Sequence, residues 1–295
     1  MDTIAVTSNR LNAENKRTLE QYYARVNQGD FMGALETLSD DVVFTIPGDP
    51  AILPFAGRWV GRKGLSELFQ AFGNAFWVVH MEETRIITTE DQLISFNDEA
   101  FKVKSTGRYY RVGVVHHVTF NEQAKINTLI NLHDTYPAVQ AFSGQAAIAQ
   151  PIPVPTLLPH EAEIPDRVAQ DIVERFYRLR VGGVDDVEDF LDDQVSLLAP
   201  GNPDLLPFSG AWIGKEEVMT VFRIHRAALT NQEITLEKVI ANHGSVAIRL
   251  TERGNLADTG RAVELMRYEL VQLTDDNKIG KVSIYVDTYP LTTAP

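Results

Sequence analysis

Cysteine is absent from the 295 residues. Disulfides, thiolate nucleophiles and cysteine-ligated zinc or iron–sulfur centres are therefore excluded. Positive charge is scarce: 27 Lys and Arg stand against 40 Asp and Glu, giving a net charge of −13. Phosphate backbones and anionic lipid surfaces would be repelled, so neither nucleic acid nor membrane is expected as a partner. No apolar run approaches the roughly 18 residues of a membrane span. The opening MDTIAVTSNRLNAENK has no basic stretch followed by an apolar one. No signal peptide is read there, and a cytoplasmic location is the expectation. Phosphate-binding and dinucleotide glycine fingerprints are missing, as is a nucleophile elbow. No cofactor is expected. Of the seven histidines, His116 and His117 are neighbours on a predicted strand and face opposite sides, which argues against a shared metal ion.

What the chain does have is repetition. PGDPAILPFAGRWVG, residues 47–61, returns as PGNPDLLPFSGAWIG, residues 200–214, with nine of fifteen positions identical at an offset of 153. DTYP at Asp134–Pro137 returns at Asp287–Pro290 at the same offset, and Gly29 pairs with Gly182, Phe69 with Phe222. A whole domain has been duplicated. The expected organisation is a domain over 1–137, a Pro/Ala-rich linker over 138–165 and a second domain over 166–295. The Pro151–Pro155 run favours an extended linker.

Each copy reads helices first and strands later. Leu19, Tyr22, Tyr23 and Val26 recur at helical spacing, and Gly29 fits a helix stop. A short helix over Phe31–Leu38, a strand over Val42–Ile46 and a third helix from Gly61 follow. Strands are predicted over Arg85–Glu90, Leu93–Lys104, Arg108–Asn121 and Lys125–Tyr136. Helices segregated before an antiparallel sheet imply an α+β fold. Strand alternation puts Tyr110, Val112, Val114, His116 and Val118 on one face, and Leu129, Asn131 and His133 together on the next strand.

The segment YYARVNQGDFMGALETLSDDVVFTIPG, the loop-and-helix segment LPFAGRWVGRKGLSELF and the terminal DTYP resemble the NTF2-like superfamily, a cystatin-like α+β roll. The SnoaL-like and ketosteroid-isomerase-like subgroup is the closest resemblance, and it covers both halves. It implies three helices on a curled antiparallel sheet around a cone-shaped apolar pocket that takes a small hydrophobic molecule. It also implies cofactor-free acid/base chemistry of the isomerase, dehydratase or polyketide-cyclase type. The alternative is a non-catalytic ligand-binding or interaction module with its pocket filled.

Carried over residue by residue, the resemblance places Tyr22 as an oxyanion donor and His116 where the family has its second acid. The family's general base falls on Ile46, and on Ala199 in the second copy, and neither can accept a proton. Asn131 and His133 then complete the polar set of the first pocket, with Tyr110, Val114 and Leu129 as its ligand-contacting wall. Asp134 is either a base beside His133 or a strand-end cap. His116 is either an acid/base or a satisfied core histidine. In the second copy Arg175, Arg267 and Glu269 take the equivalent places. Trp59 and Trp212, within the repeated loop, either touch ligand or wedge the third helix. The duplication further implies an intramolecular pseudo-dimer, with a homodimer as an additional possibility.

Overall fold

The computed structural model describes residues 2–89, 91–145, 158 and 162–292. Glu90, at the end of one predicted strand, and the Pro151–Pro155 run lie outside the described residues. The chain divides into two compact units, Met1–Ala149 and Gln150–Pro295. Each is an α+β domain, as the sequence predicts. No described helix is long and apolar enough to cross a membrane.

In the first unit α1 spans Asp2–Asn27, α2 Phe31–Ala34, and a 3-10 turn Leu35–Thr37 leads into β1, Leu38–Ile46. The strand β2, Gly57–Val60, precedes α3, Gly61–Ala75; then come β3 (Phe76–Thr88), β4 (Gln92–Val103), β5 (Tyr109–Phe120), β6 (Ile126–His133) and α4 (Thr135–Phe142). Burial explains the helices. Leu19 and Tyr22 are buried on α1, and Leu65, Leu68 and Phe69 on α3, three or four residues apart along one face. Gly29, at φ +73°, ends α1 with its amide bonded to the Val26 carbonyl.

The sheet runs β2-β1-β6-β5-β4-β3. Only the β1–β6 pairing is parallel; the others are antiparallel. The second unit repeats it: α5 (Asp166–Gly182), β7 (Leu191–Ala199), β8 (Gly210–Ile213), α6 (Lys215–Ala228), β9 (Leu229–Asn242), β10 (Ser245–Leu256), β11 (Ala262–Leu273) and β12 (Ile279–Val286), in the order β8-β7-β12-β11-β10-β9.

Three expectations need correction. The strand predicted from Arg85 begins nine residues earlier, at Phe76, directly after α3. The repeated loop contains a short strand of its own, β2, paired with β1 through Phe44 and Trp59. The connector is narrower than 138–165. Residues through Phe142 belong to α4, where Ala138, Val139 and Ala141 are buried and Phe142 meets Phe55 edge-on at 5.8 Å. At the other end Ala162 and Ile164 are buried in the core of the second unit.

The loop persists for a backbone reason. Gly48 sits at φ +116° and its counterpart Gly201 at +117°, where L side chains are strained. A Cβ at Gly48 would lie 2.9 Å from Leu53 Cδ1, and one at Gly201 2.5 Å from Ser209 Oγ. Gly48→Ala and Gly201→Ala should each lower unfolding free energy by roughly 1–3 kcal/mol, read by thermal denaturation. Unchanged midpoints would remove this explanation for the duplicated turn.

Candidate functional site

The pleat of three neighbouring strands builds the site. Ser95 on β4, His116 on β5 and Asn131 on β6 are direct cross-strand partners, so their side chains stand in one row. Asn131 Nδ2 donates to His116 Nε2 at 2.9 Å, and His133 Nδ1 donates to Asn131 Oδ1 at 2.7 Å. With Nε2 accepting, His116 carries its proton on Nδ1, which lies 2.7 Å from the Tyr23 hydroxyl. Tyr23 in turn lies 2.9 Å from Ser95 Oγ, which also accepts from Asn97 Nδ2 at 2.8 Å. Both His116 nitrogens are thus engaged. His133 keeps Nε2 without a hydrogen-bond partner among the described residues.

This row borders a cavity of about 440 Å³, a volume suited to a small molecule. Phe44, Phe55, Phe76 and Phe101 supply much of its apolar wall. Water exclusion sets the protonation states. Burial, reinforced by His133, pulls His116 down to about 3, and burial pulls His133 down to about 4, so both are neutral at pH 7. The same cavity is lined by Glu99, only 4 % exposed. Its Oε1 has no hydrogen-bond partner and lies 3.9 Å from His116 Nε2. Burial, with Asp98 adding to it, pushes the Glu99 carboxyl up to about 8. The Tyr22 hydroxyl, raised by burial and by Glu99, has no partner among the described residues and also lines the cavity.

The second unit has its own cavity, of about 270 Å³. Beside it the polar groups form ion pairs. Arg267 bonds Glu252 through Nη1 and Glu269 through Nη2. Gln232 donates to the other Glu252 oxygen, and the Tyr177 hydroxyl to the other Glu269 oxygen. Burial opposes the charge on Glu252, yet Arg267 holds its carboxyl well below the ordinary range.

The SnoaL-like domain profile matches residues 19–128 and again 173–281. The chain belongs to the SnoaL-like domain family. Among solved structures it is similar to an NTF2-like protein from Burkholderia xenovorans LB400, at 23% identity over 44% of this chain and 97% of that one, TM-score 0.41. An NTF2-like protein of unknown function from Burkholderia pseudomallei K96243 matches at 17% identity over 44% and 98%, TM-score 0.40. An LEH-like epoxide hydrolase from M. tuberculosis matches at 19% identity over 42% and 86%, TM-score 0.35. No curated protein matches the chain.

Of the residues singled out from sequence, Tyr22, Tyr110, Val114, His116, Leu129, Asn131 and His133 line the first SnoaL-like cavity together. Ile46, at the family's base position, lines it too. Others fall elsewhere. Asp134 is not in the cavity wall; it caps α4, its Oδ1 accepting from the Tyr136 amide at 3.1 Å, as Asp287 does for Tyr289. Trp59 is outside the wall as well, its Nε1 donating to the Phe55 carbonyl at 2.9 Å, and Trp212 packs against the second core rather than its cavity. Glu269 lies fully buried outside the cavity wall, held by Arg267 and Tyr177. Arg175 is solvent-exposed, its guanidinium over Phe190.

The Arg175 misplacement has a definite cause. The two family matches begin 154 residues apart and end 153 apart. Tyr23 therefore corresponds to Tyr177, as their shared bonding to positions 116 and 269 also shows. Two residues were missed. The sequence shows Tyr23 only as part of the helical spacing of α1. Glu99 had a signal within the chain: at the 153 offset it meets Glu252, the one identical pair between β4 and β10.

His80, Glu82 and Asp98 bring ligand atoms within 4.8 Å of one another. Arg111 already occupies both Asp98 oxygens, so this cluster reads as an ion-pair network.

These buried groups give stability a signed pH dependence. Unfolded, the histidines titrate at 6.5 and Glu99 at 4.5. Between those values the unfolded chain holds two histidine protons that the folded chain lacks, while the folded chain keeps one on Glu99. Stability then rises with pH by one proton, about 1.4 kcal/mol per unit. From 6.5 to about 8 only Glu99 differs, and stability falls with the same slope. Stability of the first unit should peak near pH 6.5, and Glu99→Gln should flatten the alkaline side and double the slope of the acid side, to about 2.7 kcal/mol per unit. Denaturant titrations across pH check this; an alkaline slope unchanged in the variant would overturn the protonated Glu99.

Proposed function

We propose that the N-terminal SnoaL-like domain binds a small, largely apolar molecule and moves a proton on it without a cofactor. The reaction class is isomerisation, dehydration or aldol-type cyclisation. The observation that carries this reading is Glu99: a buried carboxyl, unpartnered at Oε1, titrating near neutrality, in one apolar cavity with two neutral imidazoles. A group whose pKa lies close to ambient pH can both give and take a proton in a cycle.

The roles follow from which atoms remain available. Glu99 exchanges the proton with the ligand. Tyr22, whose hydroxyl is uncommitted, donates to the oxygen on which negative charge develops. His133 offers Nε2 as an acceptor for a ligand hydroxyl. His116 has both nitrogens occupied, so it acts with Asn131 and Tyr23 as a positioning group. Ile46 at the usual base position rules against the steroid-isomerase arrangement, and Glu99 supplies the missing carboxyl from a different strand. A module with its pocket filled is disfavoured by a cavity of about 440 Å³ bordered by His116.

Native mass spectrometry of protein from its own host should reveal a retained apolar compound. That compound, incubated in deuterium oxide, should take up deuterium at carbon with the wild-type protein. Glu99→Gln should bind it comparably and slow exchange by about a hundredfold or more. Exchange at the wild-type rate in the variant would overturn the assignment of Glu99.

The duplication also supports an intramolecular pseudo-dimer as part of the proposal. Proteolytic nicking within Gly144–Leu158 should leave the halves co-eluting; halves that separate as stable monomers would refute the pairing.

A further inference from the structure

Arg180, in the last turn of α5, is a buried charge outside the Glu252–Arg267–Glu269 network. It is 6 % exposed and lines the 270 Å³ cavity. Its Nη1 is buried without a hydrogen-bond partner, and the residue makes no hydrogen bond or ion pair with any described residue. Its guanidinium lies 4.1 Å from the Phe222 ring centroid and 6.0 Å from that of Tyr177. Ring faces offset part of the loss of water around a cation, but they leave its N–H groups unsatisfied.

The nearby acids do not serve it. Both carboxylates of the Glu252–Arg267–Glu269 triad are bonded at each oxygen to Arg267, Gln232 or Tyr177. None of their atoms lies within ion-pair distance of Arg180. A buried guanidinium is normally paired, because removing a charge from water is unfavourable without a counter-charge. Its planar fork matches a carboxylate in two parallel N–H···O bonds. The remaining lining is mostly apolar, including Leu197, Val221, Phe222 and Ile284, with His225, which sits 3.5 Å from Glu252, and Asp258 as its other polar members. In the first unit the corresponding position, 154 residues earlier, is Val26, which also lines its cavity. The charge therefore belongs to the second cavity alone.

We propose that the C-terminal cavity is a binding site for an amphipathic carboxylate, whose carboxyl group pairs with Arg180 and whose apolar body lies against Phe222, Leu197 and Ile284. The two halves then take ligands of different charge.

The experiment is calorimetric titration of the full chain with 4-phenylbutanoate and with its primary amide. The carboxylate should bind at least about tenfold more tightly, the range of one charge-assisted contact. Arg180→Met should abolish that preference while amide binding persists, and Arg180→Lys should retain part of it. Glu99→Gln, in the other unit, should leave the preference intact. Equal affinity for the two probes, no binding of either, or a preference that survives in Arg180→Met would each overturn the proposal. The wild-type comparison alone decides the case if a variant fails to fold.

Discussion

Removal of water from one face of a six-stranded sheet is the condition on which the first site depends. A strand offers alternate side chains to that face, and the pairing register lines up Ser95, His116 and Asn131 across three strands. Once there, each group must be satisfied by a neighbour or lose its charge. The imidazoles do both: they become neutral and share hydrogen bonds through Asn131 and Tyr23. Glu99 keeps its proton for the same reason. The chemistry attributed to the site is a consequence of desolvation applied to a fixed geometry.

The second SnoaL-like copy meets the same condition by the opposite route. Glu269 replaces His116 and Arg267 replaces Val114, and the two carboxylates share one guanidinium as an ion-paired triad. A titratable carboxyl near neutrality and a carboxylate held by an arginine are suited to different tasks: proton exchange in one, recognition in the other. Glu99 and Glu252 show this most directly. They are identical residues at equivalent strand positions, yet one is raised to about 8 and the other driven well below the usual range. The sequence identity says nothing of the difference, because it arises from what stands opposite each carboxyl.

Much of the architecture was readable without coordinates. The offset of 153 marked the duplication, and strand alternation placed Tyr110, Val114, His116, Asn131 and His133 on a common face, since a period of two leaves no freedom. Less was readable where geometry depends on the ends of elements. Asp134 follows the last residue of β6 and becomes a helix cap, which alternation alone cannot anticipate. Trp59 belongs to a short edge strand whose indole is turned back onto its own loop. Glu99 goes unmarked by the strand pattern, because its place beside Asp98 does not say which carboxyl turns inward; Asp98 serves Arg111 while Glu99 enters the cavity.

The single-residue difference in spacing between the first helix and the strand that follows has a wider meaning. A helix turns by about 100° for each residue, yet Tyr23 and Tyr177 reach equivalent strand positions, so the connection takes up the one-residue difference and the helical surface keeps its aim. Arg175 thus falls with the exposed Gln21, and Arg180 with Val26. A loop that absorbs length in this way leaves one replaced codon on the helix, valine in one copy and arginine in the other, free to change what a roll of this kind recognises without disturbing the scaffold that folds it.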